Sequence, residues 1–237
     1  MNKPFKFKQF TIHQDRCAMK VGTDGVLLGA WTSLDSNPTS ILDIGAGTGL
    51  IALQLAQRSN AETIDAIELD DKAYEQCVQN FEESDWGDRL FCYHASLLEF
   101  ADEIEETYDL IATNPPFYSE DVGRKTSSRT IARQENSMPF EDLTNAVSKL
   151  LSKKGTFATI IPFTQEERFL SLSEKSGLYP FRITRIKGTP TAKIKRTLLQ
   201  FSFENITCIK NELVIEINRH EYTFDYQELT KSFYLKM

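Results

Sequence analysis

Apolar and polar positions alternate with period two in FKFKQFTIHQD (5–15), which predicts a hairpin or an edge strand. TDGVLLGAW (23–31) opens on an N-cap candidate, Thr23 or Asp24, and then turns apolar, so it predicts a helix. After a loop, SLDSNPTS (33–40), short apolar runs alternate with segments of helical period. Strands are predicted at ILDIG (41–45), TIDAIEL (63–69), LFCYH (90–94), YDLIATN (108–114) and TFATIIP (156–162). Helices are predicted at LIALQLAQRS (50–59), DKAYEQCVQNFEES (71–84), FEDLTNAVSKLLS (140–152) and QEERFLSLSEKSG (165–177), with KKG as the stop signal of the third. YPFRITRIK (179–187) and RTLLQFSFE (196–204) read as antiparallel strands around a basic loop; ELVIEIN (212–218) is a late strand and 225–234 a terminal helix. Strands alternating with helices imply βαβ units and an α/β fold with a doubly wound, mostly parallel sheet. The organisation expected is one domain over 1–237: an N-terminal extension (1–40) with hairpin and helix, a core (41–163), and a C-terminal helix with antiparallel strands (164–237).

A chain of 237 residues suffices for such a domain. It carries no run of eighteen apolar residues, so no membrane span is expected, and its first ten residues lack the apolar core of a signal peptide. Cys17, Cys77, Cys92 and Cys208 are scattered, and there are three histidines, which argues against a metal site and fits a reducing cytoplasm. The net charge of −7 is unevenly spread. Residues 82–109 hold ten acids and one base, Arg89, whereas 175–203 hold seven bases and no acid. Arg124, Lys125, Arg129 and Arg133 form another acid-free group in 122–134, and the first twenty residues carry five bases against Asp15. Each cluster alone is an ordinary solvated face. Together they make a polyanionic partner plausible despite the acidic total, with Arg124, Lys125, Lys193, Lys195 and Arg196 as candidate contacts.

In doubly wound sheets, ligands sit beyond the carboxyl ends of the strands. Three such ends stand out. DIGAGTG places Asp43, Gly45, Gly47 and Gly49 after the first core strand. Glycines at every second position permit a sharp turn and close approach to a ligand, and they are also what a plain strand–helix junction uses. Leu50 occupies the place where a dinucleotide fingerprint has its third glycine or alanine. Asp43 is hostile to a pyrophosphate and welcoming to a cationic amine. Glu68 ends the next strand, where an acid can accept both hydroxyls of a ribose; beside Asp70 and Asp71 it is also a helix-initiating acid. Asn114-Pro115-Pro116-Phe117 follows YDLIAT. The two prolines fix two φ angles and hold the residues before them extended, so the loop is stiff and presents one amide and one ring.

In this order the three features resemble the class I S-adenosylmethionine-dependent methyltransferases, across roughly 41–163. The resemblance implies a Rossmann-like sheet of the seven-stranded type, S-adenosylmethionine as cofactor, and a planar amino or amide nitrogen as the methyl acceptor. Asn114 and the Pro115 carbonyl would accept the two hydrogens of that nitrogen, Pro116 would stiffen the loop, and Phe117 would stack on the ring. The N-terminal FKFKQFTIHQDRCAMKVGTDGVLLGAW (5–31) and the C-terminal SFYLKM extend the resemblance along nearly the whole chain. They are similar to bacterial enzymes that methylate N6 of the adenosine immediately 3′ of the anticodon in a valine tRNA. By that resemblance KVGTDG (20–25), with Thr23, lines and closes the cofactor site, beside Asp43, Gly45, Gly47, Gly49, Glu68, Leu69 and Asn114. One departure is Ser96, which stands where many relatives carry an acid facing the cofactor's adenine. A tRNA partner and a cytoplasmic, metal-free enzyme follow, with a monomer as the working assumption. The same motif also serves methylation of rRNA bases or of a protein glutamine amide. A nicotinamide-dependent oxidoreductase and a non-catalytic RNA-binding protein are the alternatives from other classes.

Overall fold

The computed structural model describes residues 3–116 and 138–236. Twelve strands and seven α-helices are formed among them. The hairpin β1 (Phe5–Lys6) and β2 (Thr11–Ile12) leads into α1 (Thr23–Trp31). The core runs β3 (Ser40–Ile44), α2 (Leu50–Arg58), β4 (Thr63–Glu68), α3 (Asp71–Glu82), β5 (Leu90–His94), α4 (Leu97–Glu103) and β6 (Tyr108–Thr113). It continues through α5 (Phe140–Leu150), β7 (Leu151–Pro162), a 3₁₀ turn and α6 (Glu166–Lys175). The chain ends with β8 (Tyr179–Lys187), β9 (Ile194–Ser202), β10 (Ile209–Val214), the pair β11 (Glu216–Asn218) and β12 (Glu221–Tyr222), and α7 (Phe224–Thr230).

Eight strands make one sheet in the order β10-β8-β9-β7-β6-β3-β4-β5. β9 is antiparallel to both its neighbours, and β10 runs parallel to β8, so only β9 opposes the common direction. The expected antiparallel C-terminal part is therefore one reversed strand inside a parallel frame. The order switches between β3 and β6: Asp43 lies beside Ala66 on one side and Ala112 on the other, and Ile44 beside Ile67 and Thr113. Gly45, Glu68 and Asn114 consequently leave the sheet side by side.

Alternate residues of the central strands face opposite layers, as the two-residue period requires. Ile41, Leu110 and Ala112 join the cluster under α1, α2 and α3; Leu42, Ile44 and Ile111 join the cluster under α4, α5 and α6. Phe157, Phe169 and Phe201, fully buried in the second cluster, each contribute about 1.5–3 kcal/mol of apolar burial. α1 is buried nearly all round, and a Cβ on its Gly29 would fall 2.3 Å from Gln54 Oε1, so α1 and α2 approach at backbone distance. At its far end Trp31 donates from Nε1 to Thr184 Oγ1 at 3.0 Å and carries the Arg182 guanidinium on its ring face at 4.3 Å.

Two local expectations are corrected, and one helix escaped the sequence pattern. The helix expected over 140–152 ends at Leu150, and KKG lies inside β7. Leu151 pairs with Tyr108 while Thr156 pairs with Leu110, so residues 152–155 bulge out of the ladder, and strand pairing outweighs the local stop signal. The N-cap of α1 is Gly22, with no side-chain cap, because Asp24 turns to Arg196, whose Nε donates to Oδ2 at 2.8 Å. HASLLEF contains a helix, α4, that its length hid; its start is written in Ser96-x-x-Glu99, a capping box with both reciprocal bonds made.

Candidate functional site

A cavity of about 390 Å³ opens at the carboxyl ends of β3, β4, β5 and β6. Gly45 and Gly47, Glu68 with Leu69, Ser96 and Asn114 with Pro116 line it together. The sequence places these residues up to 71 positions apart, and register alone makes them neighbours. Three carboxylates line the cavity, those of Glu68, Asp70 and Asp142, and no lysine, arginine or histidine does among the described residues. Apolar side chains supply the rest, including Ile67, Leu97, Leu98 and Met19.

The glycine turn divides into two jobs. Gly45, Gly47 and Gly49 all adopt left-handed φ, at +70°, +57° and +78°. A Cβ on Gly45 or Gly47 would meet nothing within 4 Å, so these two leave room over the strand ends. A Cβ on Gly49 would lie 2.5 Å from Phe81 and 3.0 Å from Cys77 Sγ, so Gly49 permits close packing of the turn on α3 and stands outside the cavity lining. Gly49 is also the N-cap of α2 and has no side chain to cap with. Asp43 does so from a distance: its Oδ2 accepts from the Ala52 amide at 3.1 Å, satisfying a first-turn donor. Asp43 is fully buried and does not line the cavity, and its Oδ1 has no partner among the described residues. Burial, offset in part by the Ala52 amide and reinforced by Glu68, pushes its carboxyl up to about 7.

Glu68 is half-buried and positioned by two backbone donors: Oε2 accepts from Gly47 N and Oε1 from Asp70 N, each at 2.8 Å. Asp70 is the acid that caps α3, accepting from Ala73 N at 2.9 Å. The helix-initiating role that the sequence also allowed for Glu68 therefore falls to Asp70. Ser96 caps α4, its Oγ accepting from Glu99 N at 3.2 Å, and its residue lines the cavity. Asn114 follows β6 with Oδ1 buried and unpartnered among the described residues. A buried amide oxygen without a donor is costly. Pro115 is buried and Pro116 half-buried. Phe117, Arg124 and Lys125 lie outside the described residues.

The N-terminal wall is Cys17, Ala18 and Met19; Thr23, with Val21 and Gly22, lines a different cavity. Two side chains of α3, missed in the sequence, place this wall. Asn80 Oδ1 accepts from His13 N at 2.8 Å, and its Nδ2 donates to His13 O and Thr48 O; Gln76 Oε1 accepts from Arg16 N at 3.0 Å. The signal was present: Gln76 and Asn80 lie on the apolar stripe of α3 beside Cys77 and Phe81, where a buried amide needs a backbone partner. The Cys17 thiol in the wall is pushed up to about 12, by burial first and then by Glu68 and Asp70, which keeps it protonated. Of the basic residues here, Lys193 ends the loop before β9 while Lys195 and Arg196 lie in β9; Arg196 pairs with Asp24, and Lys193 and Lys195 are exposed.

The described residues contain no helix long and apolar enough to cross a membrane and no cluster of three metal-ligating side chains. The family model "Methyltransferase small domain" matches residues 25–139. Among solved structures, a predicted O-methyltransferase from Agrobacterium tumefaciens superposes with a TM-score of 0.70 at 18% identity, covering 89% of this chain and 96% of that one. The ribosomal protein L11 methylase from Lactobacillus delbrueckii subsp. bulgaricus reaches 0.54 at 15% identity, covering 75% and 76%. These likenesses give the fold. The tRNA1(Val) (adenine(37)-N6)-methyltransferase from Flavobacterium johnsoniae is 58% identical over 98% of this chain and 100% of its own length. The enzyme of the same name from Christiangramia forsetii is 56% identical over 100% and 99%. At that identity over the full length, the chain belongs to the tRNA1(Val) (adenine(37)-N6)-methyltransferase family.

Proposed function

We propose that this protein transfers the methyl group of S-adenosylmethionine to N6 of adenosine 37 in a valine tRNA. Residues 1–237 would act as one catalytic domain in the cytoplasm, as a monomer and without a metal. The observation that carries the reading is the meeting of the glycine turn, Glu68, Asn114 and Pro116 around one acid-lined cavity, in a chain of this family.

The residues present fit the cofactor. Gly45 and Gly47 leave open space where side chains would stand, and Glu68 faces it with a carboxylate fixed at both oxygens. Three carboxylates, with no base among the described lining residues, favour a ligand carrying positive charge and disfavour the pyrophosphate of a nicotinamide dinucleotide. When bound, S-adenosylmethionine supplies a methyl group already activated on a sulfonium. Glu68 would hold the ribose hydroxyls, with Leu69, Leu97 and Leu98 as the apolar surround and Ser96 at the adenine end.

The acceptor nitrogen has its lone pair delocalised into the purine ring. Asn114 Oδ1 and the Pro115 carbonyl would accept its two hydrogens and draw the nitrogen towards tetrahedral geometry. These bonds strengthen as positive charge develops on N6, so they lower the barrier rather than merely bind. That the buried Asn114 Oδ1 has no donor among the described residues supports this reading, since it can accept from the acceptor nitrogen. Phe117 would stack on the base, which must leave its loop to enter. The methylated N6 cation is acidic enough to release its proton to water, which suits a cavity without a histidine among the described lining residues.

Asn114→Ala is expected to reduce methyl transfer at least about 100-fold, the scale set by deleting one transition-state hydrogen bond, while calorimetry shows S-adenosylmethionine still binding. The assay is transfer onto total tRNA from a strain lacking the protein, followed by nucleoside mass spectrometry. N6-methyladenosine must appear at position 37 of a valine tRNA; undiminished activity of the variant would refute the role of Asn114.

A further inference from the structure

A second cavity, of about 580 Å³, takes no part in the reaction just described. Its walls are aromatic: Phe5 of the N-terminal hairpin, Tyr222, Tyr226 and Tyr234. Tyr222 and Tyr226 lie 5.2 Å apart, Phe5 and Tyr234 6.2 Å apart, and only Tyr226 is fully buried. Gly188 and Thr189, which open the basic loop between β8 and β9, form the opposite lip. Lys187, the last residue of β8, pairs with Val214, the last of β10, and Arg196 pairs with Pro162, the last of β7. This cavity and the exposed Lys193 and Lys195 therefore stand at the same carboxyl end of the sheet as Asn114. β8 is three strands from β6, or about 14 Å. Residues 17–19 line one cavity and 21–23 the other, so successive stretches of one segment contribute to both.

We propose that this aromatic cavity receives a second unpaired base of the anticodon loop, while adenosine 37 occupies the methyl-transfer site. The proposal rests on the tRNA reading above. Half-buried rings with an open lip offer faces to any flat base, and stacking is the general means by which proteins hold unpaired nucleotides. One base and one acid of the lining, Lys236 and Glu216, cancel, so stacking rather than charge supplies the affinity inside, and Lys193 and Lys195 draw the phosphates outside. Fourteen ångströms is about four stacked nucleotides at 3.4 Å each, which keeps the second base within the loop.

The test is fluorescence anisotropy with the anticodon stem-loop RNA of a valine tRNA. Tyr222→Ala is expected to weaken binding about 5- to 150-fold, the range for losing one base–aromatic stack, with an unchanged salt slope and unchanged S-adenosylmethionine affinity; Tyr222→Phe keeps the ring and the affinity. Gly188→Leu adds a side chain at the lip where a Cβ meets nothing within 4 Å, so it blocks the cavity without disturbing the packing and weakens binding likewise. One abasic substitution in the loop, away from position 37, should weaken the wild type and add nothing to Tyr222→Ala. The proposal is overturned if both variants bind as the wild type does, if they lose equal affinity for a fully paired RNA, or if the variant and abasic losses multiply at every position. Binding is read without turnover, so absent methylation by the wild type would count against the tRNA reading and not against this one.

Discussion

Gly45 and Gly49 share one turn and one backbone region, yet alanine should do different things at each. At Gly49, alanine must hold φ near +78°, which costs about 1–2 kcal/mol for a residue with a Cβ. Its methyl would also stand 2.5 Å from Phe81, which is buried, and 3.0 Å from the Cys77 sulfur, adding about 1–3 kcal/mol of overpacking. Gly49→Ala should therefore lose about 2–5 kcal/mol of stability in urea denaturation. At Gly45 the φ of +70° carries the same strain, but the new methyl has no neighbour within 4 Å, so the loss stops at about 1–2 kcal/mol. That methyl enters the space lined by Glu68 and Asn114, and calorimetry should find S-adenosylmethionine bound at least tenfold more weakly, a loss of about 1.4 kcal/mol. A Gly49→Ala protein within about 0.5 kcal/mol of the wild type, or a Gly45→Ala protein with unchanged cofactor affinity, would refute this division of labour.

Asp43 holds its proton in the folded chain up to about pH 7, against 3.8 ordinarily, so the folded state binds more protons across that window and stability falls as pH rises from about 4 to about 7. The slope approaches at most about 1.4 kcal/mol per pH unit from this one group, and Asp43→Asn, which keeps an acceptor for the Ala52 amide, should flatten it in urea titrations at successive pH values. Replacing Lys193 and Lys195 by alanine should lower the slope of log affinity against log salt by about 1.4 for an unpaired RNA loop, at about 0.7 per phosphate contact; an unchanged slope would place that loop away from the RNA.

The elements of the core were legible because period and punctuation agree there. ILDIG, TIDAIEL and YDLIATN are strands within a residue of their predicted ends, and α1 spans the predicted 23–31. Where local signals compete with pairing, the sequence misleads. KKG carries the chemistry of a helix stop, but Leu151 already pairs with Tyr108, and no local pattern announces a partner 43 positions away. The strand order, and the single reversal at β9, are likewise set by long-range packing. Glu68 and Asn114 could be expected side by side because the strand-end rule needs only the strands, whereas Ser96, which lines the same cavity, was suggested by the resemblance alone. Asp43 was singled out for its charge, whereas its carboxylate is spent on α2, since Gly49 leaves that helix without a cap. For Thr23, resemblance put its segment at the cofactor site, and within that segment Cys17–Met19 line the strand-end cavity whereas Val21–Thr23 line the other.

The walls of the strand-end cavity depend on α3. Asn80 bonds on one side to Thr48, in the glycine turn, and on the other to His13, at the start of the segment that walls the cavity. Its neighbour Phe81 is the ring that Gly49 must accommodate. The floor of the cavity and its N-terminal wall are therefore fixed to one helix, itself started by Asp70, two residues after Glu68. A ligand that presses on the turn, on Glu68 or on Cys17–Met19 meets a single hydrogen-bonded unit rather than three loops. Such rigidity suits a reaction in which alignment is most of what the protein supplies.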